Sequence, residues 1–332
     1  MKYRLLGKTG IKVSEIGFGA WGIGGVTKGA TSYGPTDDEE SKKALFEAFE
    51  NGITFYDTSD LYGYGHSEDL IGEALGSVRD KIVIASKAGF LEHKGESDIS
   101  RKHLTEALDG SLKRLRTDYI DLYQLHSPTI ELLRNSPDTI EALKDFQKEG
   151  KIRVYGFSVK NSEDGLPAIN EFGFPVIQAN FNILDQRILE NGLIDLAEKE
   201  NVGIIARTPL CFGFLTNKIS DTKFDPRDHR STWSKEQLAK WAEAPDLFSF
   251  INQGKNRTPA QLALKFCLGF KSISTAIPGI LRPSEAKENA ATADLDPLSE
   301  DELDAIREIY KSHEFFYKAL KPKGIYPAGE KN

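Results

Sequence analysis

The sequence predicts an α/β chain folded as a (β/α)8 TIM barrel, and three observations predict it. Short apolar runs alternate with longer amphipathic segments, there are eight such runs, and no shift of composition divides the chain. Regular strand–helix alternation implies a parallel sheet. Eight units in an even-textured chain imply closure into a barrel rather than an open doubly wound sheet. Residues 1–332 therefore read as one barrel domain, within the size such barrels reach.

The predicted strands are 16–18, 54–56, 82–85, 120–123, 154–157, 176–179, 203–206 and 273–276. Helix-like segments between them include 38–50, 67–75, 100–115, 136–149 and 192–200, several opening on Ser or Asp as an N-cap prefers. Residues 2–6 and 12–13, around Lys8-Thr9-Gly10, read as an N-terminal β-hairpin that plugs one end. The run Gly17-Phe18-Gly19-Ala20-Trp21-Gly22 has the letters of a dinucleotide fingerprint. No helix follows it directly, and no acidic residue stands in the ribose-binding place, so it reads as a glycine-rich loop. The longest insertion, 211–257, is rich in aromatic and charged residues. It reads as a long loop of the C-terminal face, where long loops carry specificity. After Pro297 an amphipathic helix is expected, followed by Phe315-Phe316-Tyr317.

Composition excludes several function classes. A net charge of −7 with no basic cluster argues against a nucleic-acid partner. Cys211 and Cys267 belong to no ligand or disulfide spacing, so no metal site is expected and both read as reduced core thiols, which fits the cytoplasm. The start Met1-Lys2-Tyr3-Arg4 lacks the apolar stretch of a signal peptide. No run approaches the roughly 20 apolar residues of a membrane span.

In such barrels reactive groups sit at the carboxyl ends of the strands. Asp57 ends the second predicted strand with Tyr62 in the loop beyond, Lys87 ends the third and His126 the fourth. Ser158 ends the fifth, Gln178 lies in the sixth and Arg207 closes the seventh. Three adjacent strands thus converge an acid, a phenol, an ammonium and an imidazole. A free phenol titrates near ~10, too high for an efficient acid, and a neighbouring Lys⁺ favours phenolate. Tyr62 would protonate a carbonyl oxygen as hydride reaches carbon, and His126 would orient that oxygen. Each residue alone has a plainer reading: Asp57 as a loop cap, Lys87 with Asp57 as a structural pair, His126 as a core histidine, Tyr62 as a loop anchor. Their conjunction at successive strand ends favours chemistry.

These residues resemble the aldo-keto reductase family nearly end to end. Asp57-Thr58-Ser59-Asp60-Leu61-Tyr62-Gly63, with Ser67-Glu68 and Ile71-Gly72-Glu73-Ala74-Leu75, resembles its signature, and Leu125-His126-Ser127-Pro128 its histidine motif. Leu6-Gly7-Lys8-Thr9-Gly10 and Gly150-Lys151-Ile152-Arg153 resemble the bacterial and potassium-channel β-subunit branch. The resemblance implies a tetrad of Asp57, Tyr62, Lys87 and His126, and an NADPH cofactor with NADH as competitor. For that cofactor it implies Gln178 and Ser158 at the nicotinamide carboxamide, with Gly19, Trp21 and Arg207 nearby. It further implies Pro209, Leu210, Gly213, Leu215 and Lys218 along the pyrophosphate, and Pro278, Gly279, Arg282, Glu285, Glu288 and Asn289 at the adenosine. After the serine the family carries Asn, where this chain has Val159, with Asn161 the substitute. Glu285 stands where the family more often has a cation or glutamine, which favours a ribose hydroxyl over a 2′-phosphate.

The substrate is expected to be a small aldehyde, ketone or sugar. Trp21, Phe90, Phe181, Phe212 and Trp233 are candidates for its apolar lining, each also compatible with ordinary packing. The leading alternative is a slow-turnover nicotinamide-binding regulatory or redox-sensing subunit. A Schiff-base aldolase using Lys87 would be revealed by borohydride trapping. A metal hydrolase is disfavoured because His66, His93, His103 and His126 lack paired ligand spacing.

Overall fold

The fold follows from where each apolar period can be buried. The computed structural model describes residues 1–26, 32–91, 96–216, 218–219 and 222–317. Strands β1 (Tyr3–Leu5) and β2 (Lys12–Ser14) form the N-terminal antiparallel hairpin, with Tyr3 opposite Ser14. Eight further strands make one parallel sheet in chain order: β3 (Phe18–Gly19), β4 (Phe55–Asp57), β5 (Val83–Ala88), β6 (Ile120–His126), β7 (Ile152–Ser158), β8 (Val176–Asn180), β9 (Gly203–Arg207) and β10 (Ile273–Ile277).

The edges of that sheet meet. Gly17 N–H donates to the Ala276 carbonyl at 2.8 Å, Ala276 N–H to that of Glu15 at 2.9 Å, and Gly19 N–H to that of Pro278 at 2.9 Å. A Cβ on Gly19 would lie 2.9 Å from the Ile277 and Pro278 carbonyl oxygens. The glycine-rich run therefore closes the barrel, as its reading as a loop rather than a fingerprint requires.

The inside of the barrel is its own apolar cluster. Phe55, Val83, Ala85, Leu122, Val154, Val176, Ile205 and Ile277 point inward and are covered from below by Leu6, Ile11 and Val13 of the hairpin. The hairpin is thus the predicted plug.

The outer layer comprises α1 (Asp38–Glu50), α2 (His66–Leu75), α3 (Arg101–Arg114), α4 (Ile130–Arg134), α5 (Asp138–Lys148), α6 (Gly165–Asn170), α7 (Arg187–Glu190), α8 (Leu193–Lys199), α9 (Lys235–Phe248), α10 (Pro259–Leu268), α11 (Pro283–Ala290) and α12 (Glu300–Ser312). Helix α1 shows why these segments coil: Asp37 caps the Glu40 N–H, the first turn is acidic, and Ser41, Ala44, Leu45 and Ala48 are buried at helical spacing. Capping boxes start α10 at Thr258 with Gln261 and α12 at Ser299 with Glu302.

Three differences from the sequence expectation are instructive. The strands run beyond the apolar runs, β5 to Ala88, β6 to His126, β7 to Ser158 and β9 to Arg207, because hydrogen-bond ladders do not stop where hydrophobicity does. The first strand is Phe18–Gly19 rather than 16–18, since Ile16 and Gly17 join the seam with Ala276 instead. The insertion 211–257 also contains a helix, α9, with the tail packed on it: Gln237 Nε2 donates to the Phe315 carbonyl at 2.9 Å, and Phe316 meets Trp241 at 5.9 Å. His93 lies outside the described residues.

Candidate active site

Side chains alternate along a strand, so a residue two positions beyond an inward apolar one also faces inward. Asp57 follows Phe55, Lys87 follows Ala85, Gln178 follows Val176 and Arg207 follows Ile205. On β6 the period carries from Leu122 through Gln124 to His126, and on β7 from Val154 through Gly156 to Ser158. The apolar interior thus gives way at its carboxyl end to a polar layer.

Lys87 organises that layer. Its side chain is fully buried, and its Nζ donates to Asp57 Oδ2 at 2.7 Å, the Thr58 carbonyl at 2.7 Å and the Tyr62 hydroxyl at 3.1 Å. An ammonium has three protons, and these three acceptors match them. The phenol accepts in this contact and so keeps its own proton for another acceptor. The other carboxylate oxygen, Asp57 Oδ1, accepts from Gln178 Nε2 at 2.7 Å and from Gln124 Nε2 at 3.4 Å. A buried ion pair of this kind needs such further bonds to offset desolvation. Gln124 was not singled out from the sequence, although the period-two rule places it inward. Tyr62 and His126 meet edge to face at 5.9 Å, and Phe90 flanks His126 at 5.7 Å. The four residues expected to act together are therefore one contiguous group.

A second set of side chains lines the opposite arc. Ser158 Oγ lies 3.5 Å from Gln178 Oε1, and Arg207 donates to the Val159 carbonyl at 2.8 Å. Asn161, the expected substitute for the asparagine after that serine, donates from Nδ2 to Asp164 Oδ2 at 3.4 Å within its own turn. After β9 the chain passes Pro209 and Leu210 through a left-handed stretch at Thr208, Cys211, Phe212 and Gly213, then reaches Leu215. Lys218 Nζ bonds Glu288 Oε2 at 2.6 Å, tying this loop to α11. Pro278 and Gly279 lie on the closing seam beside Gly19. Arg282 is the N-cap residue of α11 with no side-chain cap bond, and its side chain is exposed. Glu285 Oε2 instead accepts the Leu281 N–H at 2.8 Å, and Asn289 is buried.

This donor set fits an elongated anionic cofactor. Gln178 and Ser158 could bind a carboxamide, the strained loop and α11 N-terminus could face phosphates, and Arg282 could meet a further anionic group.

Above the polar layer the first and seventh loops meet. His229 N–H donates to the Ser32 carbonyl at 2.7 Å, and Ser32 Oγ to that of Gly22 at 3.1 Å. Trp21 packs on Tyr33 at 5.0 Å and His229 at 5.5 Å, while Phe212 contacts Trp233 at 4.6 Å and Trp241 at 5.9 Å. Trp21, Phe90, Phe212 and Trp233 thus belong to the mouth. Phe181 does not: it is fully buried against Phe266 and Phe270, each at 5.2 Å, because its side chain faces the helical layer. Tyr33, His229 and Trp241 were missed, since they reach the mouth only through loop packing.

Comparison with known proteins adds to this geometry. The family model described as "Aldo/keto reductase family" matches residues 15–311. The chain is 31% identical over 329 residues to YqkF of Bacillus subtilis, described as an uncharacterized oxidoreductase, covering 94% of this chain and 99% of that protein. It is 29% identical to a probable voltage-gated potassium channel subunit beta of Arabidopsis thaliana, covering 94% and 97%. The solved aldo-keto reductase AKR11C1 from Bacillus halodurans, in its holo form, superposes with a TM-score of 0.76 at 29% identity, covering 95% and 99%.

Proposed function

The chain belongs to the aldo/keto reductase family and is therefore an oxidoreductase acting on carbonyl substrates; from that premise we propose an NAD(P)H-dependent reductase of small aldehydes, ketones or sugars, built as one domain, with Tyr62 as its proton donor. The observation that carries this reading is the triply bonded Lys87 ammonium beside the Tyr62 hydroxyl. Tyr62 gives its proton to the carbonyl oxygen, and Lys87 stabilises the phenolate that remains. Asp57 fixes the ammonium, with Gln178 and Gln124 holding the carboxylate in turn. His126 donates to the same carbonyl oxygen and orients it. When bound, the reduced nicotinamide supplies the hydride.

On this reading Ser158 and Gln178 hold the carboxamide end, with Gly19, Trp21 and Arg207 around it. Pro209, Leu210, Gly213, Leu215 and Lys218 border the pyrophosphate. Pro278, Gly279, Arg282, Glu285, Glu288 and Asn289 border the adenosine. We take NADPH as the cofactor through Arg282, with NADH favoured instead if Glu285 dominates.

Tyr62→Phe tests the assignment. Turnover should fall roughly 10²–10⁴-fold with cofactor affinity unchanged, as read by steady-state kinetics and fluorescence titration. Wild-type turnover in this variant would remove Tyr62 as the acid. The channel-subunit relative supports a second reading, a slow-turnover cofactor-binding subunit; a single-turnover burst followed by slow release would favour it.

A further inference from the structure

His126 is bonded on its inner side. Its Nδ1 lies 3.0 Å from the Ser59 hydroxyl oxygen, which also lies 3.0 Å from Asp60 Oδ1. Leu61 N–H donates to Ser59 Oγ at 3.1 Å and occupies one of its lone pairs. A hydroxyl has one proton and two lone pairs. One proton and one lone pair therefore remain to be divided between Asp60 and His126, with the Lys87 carbonyl at 3.3 Å competing only for the proton. If Ser59 donates to Asp60, it accepts from His126 Nδ1–H. If Ser59 donates to His126, Asp60 must supply an O–H, and the imidazole proton sits on Nε2.

The surroundings of Asp60 make both states reachable. Its carboxyl interacts with Glu68 of α2, Arg114 at the end of α3 and Tyr123 of β6, and reaches His126 of β6 through Ser59 Oγ; its N–H donates to the Lys87 carbonyl of β5 at 3.2 Å. Glu68 is fully buried, bonded by Arg114 Nε at 2.8 Å and by the Ser86 hydroxyl. Burial and then the Glu68 charge push the Asp60 carboxyl up to about 7, against Ser59 and Arg114.

We propose that Ser59 and Asp60 form a proton relay that sets which ring nitrogen of His126 carries the proton. One proton taken from solvent at Nε2 moves the Nδ1 proton to Ser59 Oγ and the Ser59 proton to Asp60. No other bond changes, and the balance is that single proton. Below the Asp60 transition Nε2 is a donor to the carbonyl oxygen; above it Nε2 presents a lone pair and cannot donate. Ser59 and Asp60 are positioning residues acting through His126, and the inference rests on the proposed role of that histidine.

Heteronuclear NMR of the full chain carrying isotope-labelled histidine reads the tautomer without cofactor or substrate, His126 being identified by the signal lost in His126→Gln. In wild type the neutral Nε2–H form should give way to Nδ1–H as pH rises through Asp60's transition. Asp60→Asn should hold Nε2–H at every pH, because its amide can donate to Ser59, and Ser59→Ala should uncouple His126 from that transition. Both variants should lose the corresponding fall in kcat. A wild-type tautomer constant with pH, an unaltered transition in both variants, or imidazolium in place of neutral Nε2–H below the transition would overturn the relay. Wild-type turnover in Tyr62→Phe would remove the catalytic reading yet leave the NMR result standing, so the two failures are distinguishable.

Discussion

Lys87 is the residue on which the site's electrostatics turn. Removing its ammonium leaves the buried Asp57 carboxylate, among the described residues, with the Gln178 and Gln124 side chains as its partners. Breaking a buried pair by deleting one member typically costs about 3–5 kcal/mol. Lys87→Met is therefore expected to lower stability by that order, and to cut turnover about as severely as Tyr62→Phe. Adding Asp57→Asn to it should recover most of the stability and none of the turnover. Denaturant unfolding and steady-state assay of the single and double variants check this, and a double variant no more stable than Lys87→Met would contradict the account. The grouping of Asp57, Lys87 and His126 was legible from strand ends, with Tyr62 in the loop beyond Asp57. Gln124 was not singled out, and Ser59 and Asp60 were named only as letters of the signature with no role of their own, because what they do lies in bonds to those residues.

At the scale of elements, the hairpin shows how one residue seats a whole plug. Gly7 has φ of +53°, and a Cβ there would lie 2.3 Å from the Gly203 nitrogen. Gly10, in the same turn, has φ of +76° with nothing within 4 Å of such a Cβ. Left-handed strain costs a non-glycine residue about 1–2 kcal/mol, and overpacking about 1–3 more. Gly7→Ala should thus lose about 2–5 kcal/mol and Gly10→Ala only about 1–2. Thermal unfolding of both variants compares them, and equal losses would mean the hairpin does not press on the start of β9. The hairpin, the alternation of strands with helices and the α12 segment were all readable from periodicity. Helix α9 was not, since Pro245 and the mixed aromatic and charged composition of the insertion mask its period.

The whole molecule is a closed ring whose interior is apolar below and polar above. No helix among the described residues is long and apolar enough to cross a membrane. If the β7–β10 arc and α11 bind a dinucleotide, that ligand bridges several elements and must stabilise the folded chain by mass action. At one hundred times its Kd the gain is about 2.7 kcal/mol. NADPH is expected to raise Tm more than NADH if Arg282 governs the adenosine end, and less if Glu285 does. Glu285→Gln should then shift the balance toward NADPH. Thermal shift with both cofactors reads this directly, and no shift with either would remove the nicotinamide reading.

By itself the sequence determined the barrel class, its hairpin plug and the positions of Asp57, Tyr62, Lys87 and His126, because periodicity and strand-end position are local properties of the chain. Tertiary structure alone decided the rest. Closing the ring brings Gly19 against Pro278, Gln178 onto Asp57, and the first loop against the seventh, across separations that no local pattern encodes. It also turned Phe181 outward to the helices and set Ser59 between Asp60 and His126. Whether a polar group acts on its neighbour depends on distances of a few ångströms, and those exist only once strands far apart in the chain lie side by side.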